Sequence, residues 1–128
     1  MGLFSRLKPV NRRQQGQNYE QAAADYLRRH GLLLIEQNFQ VKAGELDLIM
    51  RDNDTLVFVE VKYRHDQRHG HAAETVTRQK QARLIKAANW WMLKQGLSAD
   101  HTSFRFDVVA IHDNGRQIDW IKNAITEG

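Results

Sequence analysis

Gly44-Glu45-Leu46-Asp47-Leu48-Ile49, followed after Asp52-Asn53-Asp54 by Leu56-Val57-Phe58-Val59-Glu60-Val61-Lys62, governs how this chain is read. Both runs are rich in β-branched and aromatic residues and flank a turn signal, so they read as consecutive strands. A strand places residues i and i+2 on one face. Glu60 and Lys62 therefore continue the face begun by Leu56 and Phe58, which points into a core. Ionised groups on an inward face are costly unless paired or bound to a metal. Two readings follow: a metal-dependent site built on Asp47, Glu60 and Lys62, or a plain ion pair at a sheet edge.

The turn sharpens this into a register. A loop of two residues (Asn53-Asp54) or of four (Asp52 to Thr55) places Asp47 opposite Glu60 and Glu45 opposite Lys62. Directly opposed side chains have Cβ atoms roughly 4.5–5.5 Å apart, close enough for two carboxylates to share a cation. A three-residue loop would set Asp47 against Val59 instead and separate the pair.

Around this hairpin the chain reads as one α/β domain over 14–128, preceded by a basic N-terminal arm over 1–13. A helix is expected from about Gln14 to His30, with Tyr19, Ala22, Ala23, Tyr26 and Leu27 as its apolar stripe and Gly31 as its terminator. Leu32 to Phe39 is the first strand. Tyr63 to Ala73 is a polar, histidine-rich loop. A second helix from about Thr77 to Gln95 buries Leu84, Ile85, Ala88, Trp91 and Met92. Phe104 to His112 is a strand, Asn114-Gly115 a hairpin turn, and Ile118 to Ile121 a short last strand. The order αβββαββ suits a mixed sheet flanked by helices.

Composition narrows the classes. The chain has 128 residues, enough for one core, with 19 Lys and Arg against 15 Asp and Glu. This modest basic excess permits a nucleic-acid partner without requiring one. No cysteine is present, so disulfides and thiolate zinc sites are excluded. No apolar run approaches the ~20 residues of a membrane span. The first nine residues match neither a secretory signal nor a myristoylation site. A cytoplasmic address is expected.

Three blocks carry a family resemblance: Gly44 to Ile49, Val57-Phe58-Val59-Glu60-Val61-Lys62-Tyr63-Arg64, and Arg105-Phe106-Asp107-Val108-Val109. Asp…Glu-X-Lys on consecutive strands, with a glutamate on the preceding helix, resembles the PD-(D/E)XK nucleases. Within them the blocks look like the YraN-like family of small bacterial proteins, over about Gly16 to Ala124. The resemblance implies a restriction-endonuclease-like core and a Holliday-junction-resolvase-like activity on DNA, using Mg²⁺ or Mn²⁺. It implies Asp47 and Glu60 as metal ligands, helped by the Val61 carbonyl, with Glu20 as the helical glutamate and Lys62 as the catalytic lysine. Such cations prefer hard oxygen donors and retain waters. Lys62 would stabilise charge at the scissile phosphate or position the attacking water. Glu45, opposite Lys62, would tune that lysine or join the metal shell.

On the second helix Arg83, Lys86, Trp90 and Lys94 fall on one face, a candidate nucleic-acid contact with cations for phosphates and an indole for stacking. A solvated basic face and a subunit contact are the competing readings. Lys80 of this helix is expected to reach the site, as the family resemblance implies. The loop from Arg64 to His71 matches no strong zinc spacing. It is read as a flap touching the substrate backbone through Arg64 and Arg68. Arg105 and Asp107 are read as a structural ion pair. Two functions remain open: a metal-dependent nuclease, or a non-catalytic nucleic-acid-binding or adaptor protein on the same fold. Junction cutting would suit a homodimer.

Overall fold

The computed structural model describes residues 12–64, 76–112 and 115–125. The expected basic arm, apart from its last two residues, lies outside them, as do residues 65–73 of the histidine-rich loop, Arg68 among them, and Asn114 of the expected hairpin turn; Tyr63 and Arg64, expected to open that loop, are strand instead. Helix α1 spans Arg12–Arg29, strand β1 Leu33–Val41, β2 Gly44–Asp52 and β3 Thr55–Arg64. Helix α2 spans Arg78–Lys94, a 3-10 turn Ala99–His101, β4 Phe104–His112 and β5 Gln117–Ile125. Among the described residues no helix is long and apolar enough to cross a membrane.

The strands form one sheet in the order β1-β2-β3-β4-β5. Neighbours are antiparallel except β3 and β4, which run parallel. A parallel pair needs a long crossover connection, and α2 lies on it. Each helix covers one face. Ala23, Ala24 and Leu27 of α1 pack with Leu48, Met50, Val57, Val59, Val109 and Ile111. Leu84, Ala88, Trp91 and Met92 of α2 pack on the opposite face with Ile49, Phe58, Phe106 and Val108. With both faces covered, β3 and β4 carry near-continuous buried runs rather than an alternating pattern.

Local chemistry fixes where the elements stop. Thr77 caps α2, its hydroxyl accepting the Lys80 N–H at 3.1 Å. Both helices end on a left-handed glycine, Gly31 (φ 95) and Gly96 (φ 75). The following residues, Leu32 and Leu97, donate back to Leu27 and Met92, as in a Schellman motif. At the tip of the β1–β2 hairpin, Gly44 presses on α2. A Cβ there would come within 2.7 Å of the Arg83 carbonyl oxygen.

Strand β5 is longer than the expected Ile118 to Ile121, and a buried carboxylate explains why. The register slips between Phe106 and Val108, where Asn123 adopts φ 52. Its N–H donates to Asp107 Oδ1 at 2.8 Å. Asp107 also accepts from Trp120 Nε1 and Arg105 Nε, and Arg105 in turn bonds Asp52 at the end of β2. The bulge lets pairing resume at Ile125. The ion pair expected between Arg105 and Asp107 is therefore present, as the clamp on one sheet edge.

Two stability predictions follow from these contacts. Gly44→Ala meets backbone, not a flexible side-chain end, and should cost roughly 1–3 kcal/mol. An unchanged thermal midpoint would show that the hairpin tip is not seated on α2. Asp107→Ala takes the acceptor from the Trp120 indole N–H and the Asn123 N–H and leaves Arg105 with Asp52 alone. It should cost about 1–3 kcal/mol in denaturant unfolding, against almost nothing for Arg51→Ala on the exposed end of β2. Equal losses would remove the clamp from the account.

Candidate active site at the β2–β3 fork

Strands β2 and β3 are joined by the two-residue turn Asn53-Asp54, with Asn53 at φ 55, and their pairs keep the register that faces Asp47 toward Glu60. The paired ladder runs from Asp52–Thr55 to Leu48–Val59. One step further, the Val61 N–H donates to Asp47 Oδ2 at 2.8 Å. A side-chain carboxyl has taken a backbone donor, and the strands fork there.

On its other edge β2 stays paired with β1. Gln37–Leu48 and Phe39–Leu46 bracket Asn38 and Asp47 as the facing residues. Asn38 is left-handed, φ 56, a conformation that asparagine tolerates better than most residues. Leu46 packs on the α2 side while Leu48 packs on the α1 side, although residues two apart share a face in a regular strand. Phe39 likewise joins the α2 side, while Gln37 meets Gln21 of α1. Both strands turn over at the Asn38–Asp47 step.

This places Asp47 beside the acid from α1. Glu20 hydrogen-bonds both Asn38 and Asp47. Burial is the largest influence on Asp47, followed by repulsion from Glu60. With smaller contributions from Glu20 and Glu45, these outweigh the Val61 hydrogen bond and push the carboxyl up to about 8. Burial also raises Glu20, against the hydrogen bonds from Asn38 and Asp47. Two neighbouring carboxyls are thus both held above their ordinary values.

Glu60 is 3% exposed and carries two lysines. Lys80 Nζ of α2 lies 2.6 Å from its Oε1 and Lys62 Nζ 3.6 Å from the same oxygen. The lysines are not equivalent. Burial and then repulsion from Lys80 lower Lys62. Burial would lower Lys80 too, but its bond to Glu60 wins and the net shift is upward.

Residues 19–111 match the model of the Uncharacterised protein family UPF0102. The chain belongs to this family. A UPF0102 protein of Vibrio cholerae (strain ATCC 39315 / El Tor Inaba N16961) is 66% identical over 119 residues, covering 93% of this chain and 98% of its own. One from Aliivibrio salmonicida is 59% identical over 121 residues, covering 94% and 98%. One from Vibrio campbellii is 53% identical across the full length of both. The UPF0102 match includes every residue of the fork, from Glu20 to Lys80.

Glu20, Asp47, Glu60, Lys62 and Lys80 thus meet at one end of the sheet. Glu45 does not take the place expected for it. It is exposed and bonds Gln40 across β1 at 3.3 Å, because the β2–β3 pairing has ended before it would face Lys62. It acts on Asp47 and Glu20 through its charge alone. Arg64 ends β3; Arg83, Lys86 and Trp90 line the exposed side of α2. Asn38 was missed by the sequence reading. Its signal was its residue type, an asparagine being tolerant of the left-handed region, at the position facing the key aspartate across a hairpin.

Among the described residues no group of three carboxylates or imidazoles is placed to hold a metal ion. The Asp47 and Glu60 carboxylates repel each other, and carboxylate oxygens are hard donors of the kind that Mg²⁺ or Mn²⁺ prefers.

The Asp47 shift has a definite sign. Its folded value, about 8, lies above its ordinary 3.8. The native protein then keeps a proton that the unfolded chain releases, and this stabilisation is full below 3.8 and lost as pH rises through 8. In metal-free buffer, the wild-type thermal midpoint should fall between about pH 6 and pH 9. Asp47→Asn, neutral throughout, should fall less and be the more stable at the upper limit. Parallel profiles would mean that Asp47 does not hold its proton in the native state.

Proposed function

We propose that the chain is a metal-dependent nuclease with a restriction-endonuclease-like core of the PD-(D/E)XK type, hydrolysing phosphodiester bonds in DNA. The observation that carries the reading is the convergence of acids from α1, β2 and β3 with two lysines at a strand fork, where Asp47 is pushed up to about 8. A purely structural ion pair requires one acid and one base. This cluster instead keeps acids together at a cost in stability, a common arrangement at functional sites.

Asp47, Glu60 and the Val61 carbonyl would hold the cation, with Glu20 beside them. When bound, Mg²⁺ or Mn²⁺ supplies Lewis acidity toward a phosphate oxygen and lowers the pKa of a coordinated water. The protein's own groups do the rest. The Val61 N–H fixes the Asp47 carboxyl. Lys80 holds Glu60 Oε1, aligning its second oxygen. Lys62, the lysine with the lowered pKa, orients the attacking water and stabilises negative charge on the phosphoryl oxygens. The water oxygen forms a bond to phosphorus as it gives up a proton to solvent, the ester P–O bond breaks, the leaving oxygen takes a proton from solvent, and the products are a phosphomonoester and an alcohol.

Calorimetry with Mn²⁺ or Mg²⁺, alongside cleavage of junction, flap and single-stranded DNA, tests this. Asp47→Asn and Glu60→Gln should lose metal binding and cleavage together. Lys62→Met should keep the metal and lose about 10²–10³ in rate. Metal binding without cleavage of any substrate would favour the adaptor reading. Neither binding nor cleavage, with wild type and variants alike, would end the enzyme reading.

A further inference from the structure

Helix α2 carries two adjacent tryptophans with opposite fates. Trp91 is 4% exposed, packs edge-on against Phe58 and donates its Nε1–H to Glu36. Trp90 is 55% exposed, so the core does not need it. Its indole borders three concavities, two between α2 and the β1–β2 hairpin and one on the outer face of α2 itself. One of about 520 Å³ adds Val41, Lys42 and Ala43. One of about 270 Å³ adds Leu93 and Lys94, and one of about 190 Å³ adds Lys86. Every charged residue bordering these three is a lysine.

A fourth concavity of about 440 Å³ continues the track to the catalytic fork. It shares Val41 and Lys42 with the first and is bordered by Arg83, Lys80 and the acid Glu45. Lys80 is the residue whose Nζ holds Glu60. A ligand lying along the track would thus run from an aromatic face, past a line of cations, to the proposed scissile position.

We infer that this track binds the single-stranded portion of a nucleic-acid substrate, a base stacked on Trp90 and neighbouring phosphates on Lys42, Lys86 and Lys94. The inference rests on the phosphodiesterase reading of the fork and adds the substrate class. Stacking on an exposed indole requires a base whose own stack is open, which a single strand offers and an intact duplex does not. The lysines around Trp90, continued by Arg83 and Lys80 and set against the single charge of Glu45, select a polyanion. They also disfavour a second copy of this chain as the occupant. A symmetric contact through Trp90 would crowd the three lysines against those of the partner.

The test is fluorescence anisotropy with labelled oligo(dT), oligo(U) and a blunt hairpin duplex. It is run in EDTA, so that neither metal nor cleavage enters. Wild type should prefer the single strands, and the oligo(dT) and oligo(U) arms decide between DNA and RNA. Trp90→Ala should weaken single-strand binding about tenfold with an unchanged thermal midpoint. Lys86→Ala combined with Lys94→Ala should flatten the salt dependence by a slope of about 1.4, two phosphates' worth. Arg51→Ala serves as the unaffected control. Equal affinity for the blunt duplex, or an unchanged affinity in Trp90→Ala, would overturn the inference. So would a dimer in sedimentation that Trp90→Ala dissolves. If binding follows the expected pattern but added Mn²⁺ yields no cleavage, the hydrolytic reading falls and the track stands.

Discussion

The hydrogen bond from the Val61 N–H to Asp47 Oδ2 is the contact on which the candidate site turns. In an uninterrupted antiparallel ladder that donor would meet a backbone carbonyl and the two strands would stay closed. By meeting a carboxyl, it ends the β2–β3 pairing at Leu48–Val59 and opens a fork into which Glu20 reaches from α1 and Lys80 from α2. The left-handed backbone at Asn38 does the matching job on the other edge, letting β1 turn over in step with β2. Neither strand is regular here, and the irregularity brings four elements to one point.

The molecule contains a useful internal contrast. Asp107 is fully buried and receives an arginine, an indole N–H and a backbone N–H. Its negative charge is answered on every side shown, which makes it a clamp. Asp47 receives one backbone N–H and lies among Glu60, Glu20 and Glu45, while the nearby Lys80 is bound to Glu60. The two residues occur in similar sequence settings, each inside an apolar strand with basic residues nearby. What separates a structural acid from a reactive one here is the company that the fold supplies, a property of tertiary structure that local sequence does not contain.

That contrast also explains how much could be read in advance. Secondary structure was legible because the signals were strong and local: a turn at Asn53, glycine terminators at Gly31 and Gly96, a helix stripe ending in Trp91 and Met92. The Asp47–Glu60 register was legible only as the consequence of a two- or four-residue loop, and the Asp52–Thr55 pair selects it over the three-residue alternative. Lys80 was reached through a family resemblance, since nothing in its own helix marks it. Glu45 was misplaced because alternation was extended past the point where the ladder stops. The same assumption of regularity hid Asn38 and shortened β5, where Asn123 bends the strand around Asp107. Bulges depend on what a side chain meets across the sheet, and a pattern of period two has no place for them.

Helix α2 joins these threads. Its inner face supplies Trp91 and Met92 to the core, its N-terminal turn supplies Lys80 to Glu60, and its outer face carries Trp90 beside lysines. Gly44 fixes the hairpin tip against the same helix at the Arg83 carbonyl, so the wall of the track and the fork are held by one rigid contact. A substitution that lifts the hairpin would therefore disturb the acids of β2 and the cationic track together. A change confined to Trp90 would leave the acids in place. Cluster and track are mechanically linked through Gly44 yet chemically independent, and this independence is what makes their separate roles measurable.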